Sequence, residues 1–254
     1  MHPQFSQNQD AYPEPVSESE AVSSVLDRIE SFIPNTDFTL PTQATGALER
    51  LCSWWLERGS ELRPHQIELM SGGYEAGVSH VDSAVDAGAT LLTFTSDTLV
   101  ESVTTRAIIG LLTRKDAWQV THQGTGLSDQ QVMEQVAATV NLMRAHREKR
   151  AEPRELADLD STGSVDFLVG AFLCASARKT PVILGSTCEL AAALIAHRLS
   201  MKASAWWCNG ATSPDRAVGQ AVERMGIEPG LPLNLSDDHG VGARISVEIL
   251  TSFI

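Results

Sequence analysis

TPVILGSTCELAAALIAHRL, Thr180 to Leu199, is a short apolar run that passes through a turn into a longer one. Thr180 to Gly185 has the length and composition of a buried strand, bounded by Pro181 and a Gly-Ser turn. Cys188 to Leu199 reads as an apolar helix. A strand leading straight into a helix is half of a βαβ unit, and the flanking sequence repeats the pattern. Downstream, Ala203 to Gly210 (ASAWWCNG) reads as a strand and Arg216 to Met225 as a helix. Upstream, Ala89 to Phe94 and Ala117 to His122 read as strands. Helices are expected at Thr104 to Leu112, at Phe167 to Ala177 and from an N-cap at Ser128 to His146. Charged residues between Arg147 and Asp160 form a connection, with a short helix over Glu152 to Leu159.

The chain is therefore expected to be α/β and helix-rich. It has a Rossmann-like, mostly parallel sheet of about four strands, because each crossover is long enough to join parallel neighbours. The remaining segments at the two ends read as helices. Val22, Val25, Leu26, Ile29 and Phe32 give an amphipathic helix over Glu18 to Phe32. Pro41 to Arg58 gives a second, with Leu48, Leu51, Trp54 and Leu56 on one face. His65 to Ala87 reads as a long third helix that follows the second almost at once. The terminal helices can pack as a small helical subdomain. Residues 1–17 read as a disordered tail, and 18–254 as a single domain with its α/β core at 89–235.

Composition excludes several classes. A net charge of −13 over 254 residues argues against nucleic acid and anionic membranes as partners. No apolar run is long enough to span a bilayer, and the polar, acidic first twenty residues do not read as a secretory signal. Cys52, Cys174, Cys188 and Cys208 are far apart with no C-x-x-C, as expected for free thiols in a reducing cytoplasm. No histidine or cysteine spacing suits a metal, so neither a metal nor a cofactor is expected.

Two turn-rich stretches carry the chemistry. Gln123 to Asp129 (QGTGLSD) opens the helix capped by Ser128, and Leu231 to Ile254 (LPLNLSDDHGVGARISVEILTSFI) brings Gly240 and Gly242 to the start of an apolar helix. Glycines at a helix start let the backbone approach a ligand and aim N–H groups at an anion. Read alone, each is an ordinary turn into a helix. Asp237, Asp238 and His239 stand just ahead of the second turn as titratable groups, and a solvated acidic turn or cap is the plainer reading of them.

These stretches, in this order, resemble the nicotinate-nucleotide:5,6-dimethylbenzimidazole phosphoribosyltransferase family. Gly124, Thr125, Gly126, Leu127 and Asp129 match its G-x-G-T-G-L-D-D. Leu233, Leu235, Gly240 and Gly242 match its L-D-L-x-x-R-L-G-E-G. Thr104-Thr105 match the end of its G-E-M-G-I-G-N-T-T loop, near Asp97. Trp206-Trp207 and Ser213 match its A-W-W and A-G-H-x-S, and Gly46, Leu48, Arg50 and Leu51 match an N-terminal motif. The resemblance implies a sugar-phosphate cradle from Thr104, Thr105, Gly124, Thr125, Gly126, Ser213, Gly240 and Gly242. It implies nicotinate mononucleotide or a related nucleotide as ligand, a benzimidazole as acceptor and a homodimer, or a heteromer with a full-length homologue, in the cytoplasm. The family's catalytic glutamate falls on Val241, which cannot accept a proton. Asp237, Asp238, His239 and, more weakly, His122 are the substitute bases to consider. Two readings follow: a divergent transferase of cobalamin nucleotide-loop assembly, or a catalytically degenerate paralogue acting as a nucleotide-binding or partner subunit. Because the third helix follows the second so closely, the resemblance also implies that a large front part of the family's sheet is missing.

Overall fold

Four short strands among the described residues lie side by side in the order in which the chain makes them: β1 (Pro64–Glu68), β2 (Leu91–Thr95), β3 (Val182–Leu184) and β4 (Trp207–Asn209). The computed structural model describes residues 42–59, 61–95, 102–121, 128–235 and 240–253. The tail at 1–17 and the helix expected over Glu18 to Phe32 lie outside these residues. All three strand pairings are parallel, with Leu92 opposite Val182 and Val182 opposite Trp207. Beyond β4 the chain returns alongside it. Asn209 N–H donates to Glu228 O, and Leu231 N–H donates to Gly210 O.

That order decides where the helices go. Right-handed crossovers that always step in one direction put every intervening helix on the same face. These helices are α2 (Gly73–Asp86), α3 (Ser102–Thr113), α4 (Ala117–Val120), α5 (Asp129–Ala145), α6 (Ser164–Ala177) and α7 (Thr187–Leu199). Leu92, Phe94, Val182, Leu184 and Trp207 project into them, and the resulting core holds Val81, Ile108, Phe167, Phe172 and Leu194. The alternate residues Leu91, Ile183 and Cys208 point the other way, as the pleat requires. Only helices from the two ends remain to cover them: α1 (Thr42–Leu56) and α9 (Val241–Phe253). Leu51, Trp55, Ala243 and Leu250 close a second core there. Each fully buried aliphatic side chain contributes about 1.5–3 kcal/mol to that closure.

Two segments differ from the expectation. His65 to Ala87 is not one helix. Its first residues are β1, and α2 begins only at Gly73. Ile67 alone is buried in β1, so an edge strand with one inward side chain was indistinguishable from a polar helix start. The sheet core thus begins at Pro64, and the segment between α1 and α2 contains a strand where none was expected. Ala117 to His122 is not a strand. Residues Ala117–Val120 form one helical turn, fixed by a capping box in which Asp116 accepts from Gln119 N–H and Gln119 accepts from Asp116 N–H. The fourth strand is shorter than expected, because Met201–Trp206 winds as a 3-10 helix before it. By contrast, Ser128 caps α5 with a full capping box.

Candidate functional site

In a parallel sheet the strands all end on one side, and the loops there are where ligands bind. Here the edge formed by the ends of β2, β3 and β4 is closed by the first turn of α9. Gly240, at φ +76°, lies so close to β2 that a Cβ would stand 2.9 Å from Phe94 O. A Cβ on Gly210, just after β4, would stand 2.6 Å from Ala243 N, and one on Gly242 2.8 Å from Ala211 Cβ. Ser246 anchors the helix by donating to Gly210 O at 2.7 Å. The glycines therefore serve packing first: they let the helix start sit on the strand ends.

Gly185, Ser186, Asn209, Ser213, Leu235 and Gly242 line a small cleft at this edge, about 20 Å³ among the described residues. Asn209 shapes its floor, donating from Nδ2 to Ala211 O and Pro229 O. Of the residues expected in a cradle, Ser213 and Gly242 meet here, with Gly240 beside them. Thr104 and Thr105 are buried in the first turn of α3, where Thr105 Oγ1 donates to Ser102 O at 3.0 Å. Neither lines the cleft. Gly124, Thr125, Gly126 and His122, and likewise Asp97, Asp237, Asp238 and His239, lie outside the described residues.

Val241 is the first residue of α9. It lines a groove of about 640 Å³ with Leu48, Arg244, Ile245, Glu248 and Ile249. Position 241 thus borders the groove between α1 and α9, next to Gly242 at the cleft.

Two charged groups at this edge escaped the reading of the sequence. Glu189 is 3% exposed, at the start of α7. Its carboxylate accepts from Gly185 N–H at 2.9 Å and from Ser186 O–H at 2.9 Å, while Ser186 Oγ accepts from Glu189 N–H. The S-x-x-E at 186–189 is the signal that could have found it. Both oxygens serve the fold, holding the turn after β3 against the positive end of α7. Arg106 is the other. It follows Thr105 on α3, is 7% exposed, and donates to Asp215 at 3.1 Å and to Gln135 at 3.0 Å. Asp215 caps the helix Arg216–Met225, α8, through Ala217 N–H, and its own N–H donates to Ser213 Oγ. A chain of contacts thus runs from Thr105's neighbour on α3 to the cleft's Ser213. An arginine amid the apolar residues of α3 was its only trace in the sequence.

Among the described residues, no group of three or more His, Cys, Asp or Glu is placed to hold a metal ion. No helix among them is long and apolar enough to cross a membrane. None of the four cysteines forms a disulfide with another.

Comparison with known proteins bears on what this edge is for. A family model described as phosphoribosyltransferase matches residues 66–253. The nicotinate-nucleotide–dimethylbenzimidazole phosphoribosyltransferase of Streptomyces avermitilis is 31% identical over 188 residues, covering 72% of this chain and 49% of that protein. The Mycobacterium tuberculosis protein of the same name is 31% identical over 182 residues, covering 70% and 50%. The chain spans about half the length of these curated relatives. Two solved structures from Thermus thermophilus share the fold. One, described under the same enzyme name, has a TM-score of 0.59 at 20% identity over 70% of this chain and 54% of that chain. The other, described as CobT, has a TM-score of 0.64 at 15% identity over 92% of this chain and 95% of that one. The described fold is thus shared with a solved chain of similar length.

Proposed function

Because the chain belongs to the nicotinate-nucleotide–dimethylbenzimidazole phosphoribosyltransferase family, we propose that it binds a phosphoribosyl-bearing nucleotide at the ends of β2, β3 and β4 without transferring the sugar itself. The observation that carries this reading is Val241 at the first residue of α9. Transfer of phosphoribose from nicotinate mononucleotide to a benzimidazole nitrogen forms one N–C bond and breaks another. The acceptor's N–H proton must leave, and a positioned carboxylate is the usual means of taking it. Valine has no lone pair to offer. Glu189, the buried carboxylate at this edge, already accepts hydrogen bonds through both oxygens. The groups implied for the cradle are Thr104, Thr105, Gly124, Thr125, Gly126, Ser213, Gly240 and Gly242. Of these, Ser213 and Gly242 line the cleft with Gly240 beside them, and backbone N–H groups at such a helix start can hold an anion without needing a base.

In this reading the protein is a nucleotide-binding or partner subunit, a homodimer or a companion to a longer homologue. The second reading is a divergent transferase in cobalamin nucleotide-loop assembly. It is favoured by Asp237, Asp238 and His239, which immediately precede Gly240 in the sequence.

The test is a product assay with nicotinate mononucleotide and 5,6-dimethylbenzimidazole, reading α-ribazole phosphate by chromatography, alongside calorimetric titration of nicotinate mononucleotide. Binding without product from the native chain is the expected outcome. Product from the native chain, lost in an Asp237→Asn, Asp238→Asn double variant, establishes the transferase reading instead. Absence of nucleotide binding overturns both. A Val241→Glu variant run in parallel reports whether a carboxylate at that position restores transfer.

A further inference from the structure

At the opposite end of the sheet the charge pattern inverts. Crossover helices run against the strands, so α3, α7 and α8 all finish on the side away from the candidate site. Between their last turns lies a cleft of about 320 Å³. Arg114, Arg147, Arg150, Arg198 and Arg224 line it, with Glu148 as the one acidic lining residue. Its apolar base is Leu111 and Leu112, both buried. Five guanidinium groups from four separate segments thus converge in a protein whose net charge is −13.

These arginines are not consumed by the fold. Among the described residues, none of the five forms an ion pair, whereas Arg50, Arg58, Arg63, Arg106, Arg154 and Arg178 each do. None donates a side-chain hydrogen bond to a described residue, so they do not cap the helix carbonyls beside them. The ends of α3, α7 and α8 carry about half a negative charge each, which with Glu148 offsets only part of five positive charges. Arg114 also holds a left-handed backbone, φ +61°, a conformation that glycine or asparagine adopts at lower cost. Gathering like charges this way is unfavourable for the empty protein and is repaid when an anion enters.

We propose that this cleft is a second binding site, for a small, multiply charged phosphate compound of nucleotide size. The volume lies at the lower end of the range for small-molecule sites, about 300–1,000 Å³. Guanidinium forks match phosphate oxygens in pairs, and the leucine base accepts an apolar or planar portion of the same molecule. Nearby His197 reports the field. Burial lowers its pKa first, and Arg224 and Arg198 lower it further. Its Nδ1 is buried without a partner.

The site is distinct from the strand-end cleft, and so is its test. Inorganic pyrophosphate is titrated calorimetrically into the full chain and into an Arg198→Gln, Arg224→Gln double variant at constant ionic strength, with the His197 ring followed by NMR. Saturable binding that weakens about tenfold or more in the variant, with the His197 pKa rising as pyrophosphate fills the cleft, is the expected result. Unchanged affinity in a folded double variant, or a His197 signal indifferent to pyrophosphate, places any binding elsewhere and overturns the proposal. So does the absence of saturable binding at millimolar pyrophosphate. Nicotinate mononucleotide binding at the strand ends is read separately on the same variant and stays intact.

Discussion

A Cβ on Gly185 would lie 2.7 Å from Gly240 Cα and 2.9 Å from Ala243 Cβ, so the turn after β3 and the start of α9 meet backbone to backbone. Gly185→Ala is expected to destabilise the protein by about 1–3 kcal/mol through overpacking. Gly240→Ala adds the cost of a side chain at φ +76° to a similar clash. Gly219, exposed on α8, has nothing within 4 Å of its Cβ position. Gly219→Ala is therefore expected to stabilise by about 0.5–1 kcal/mol. Urea denaturation of the three variants checks the ordering.

The Arg106–Asp215 pair is nearly buried, with side chains 9% and 11% exposed. Removing one member of a buried pair strands the other, at about 3–5 kcal/mol. Asp215→Ala is expected to reach that range, since it also removes the cap on Ala217 N–H. Arg106→Met is expected to cost less, because Asp215 keeps that cap at the positive end of α8. Equal losses in the two variants would show that the cap contributes nothing.

Thiol chemistry gives a third expectation. Burial raises the Cys52 pKa to about 11. Cys174 is raised to about 11 by burial and by its hydrogen bond to Asp82. Burial also drives Cys208 upward. Two units above a reference of 9.0 leave about one hundredth of the usual thiolate, the reactive form. Iodoacetamide at pH 8 is expected to leave these three largely unlabelled until urea unfolds the chain. Rapid labelling of Cys208 in the native protein is the contrary result.

His197 sets the sign of a pH dependence. Its folded pKa lies below its reference of 6.5, because burial and two arginines disfavour the charged ring. The unfolded chain therefore binds the proton more readily. Stability is fully present above about pH 6.5 and is lost as pH falls toward the folded pKa. Thermal melts between pH 7.5 and about pH 5 are expected to slope downward with acid, and His197→Gln to remove part of that slope.

Reading the sequence located the elements whose signals are local. The capping box at Ser128 and Gln131 announces α5, and the uninterrupted VIL of β3 can only be buried. It failed where tertiary context decides. β1 buries Ile67 alone, so its role as an edge strand is settled by β2, residues away in sequence. Trp118 and Val120 favour a strand by propensity, yet the Asp116–Gln119 box winds one helical turn. At the strand ends, Ser213 and Gly242 are two of the eight residues implied by resemblance, and the structure brings them to one cleft. The place of Val241 on the groove beside α1 was not legible, because a helix's facing depends on the residue at which it starts. Arg106 and Asp215 are 109 residues apart, and no local pattern joins them.

The one-directional strand order also sets a timetable for folding. The layer that seals Leu91, Ile183 and Cys208 is built from α1 and α9, the first and last of the described elements. As the polypeptide leaves the ribosome, one side of the nascent sheet acquires its helices in step with synthesis. The other has α1 alone to cover it until α9 emerges. Completion of the second core therefore waits for α9, and a chain cut just before Val241 is expected to aggregate more readily than the whole one.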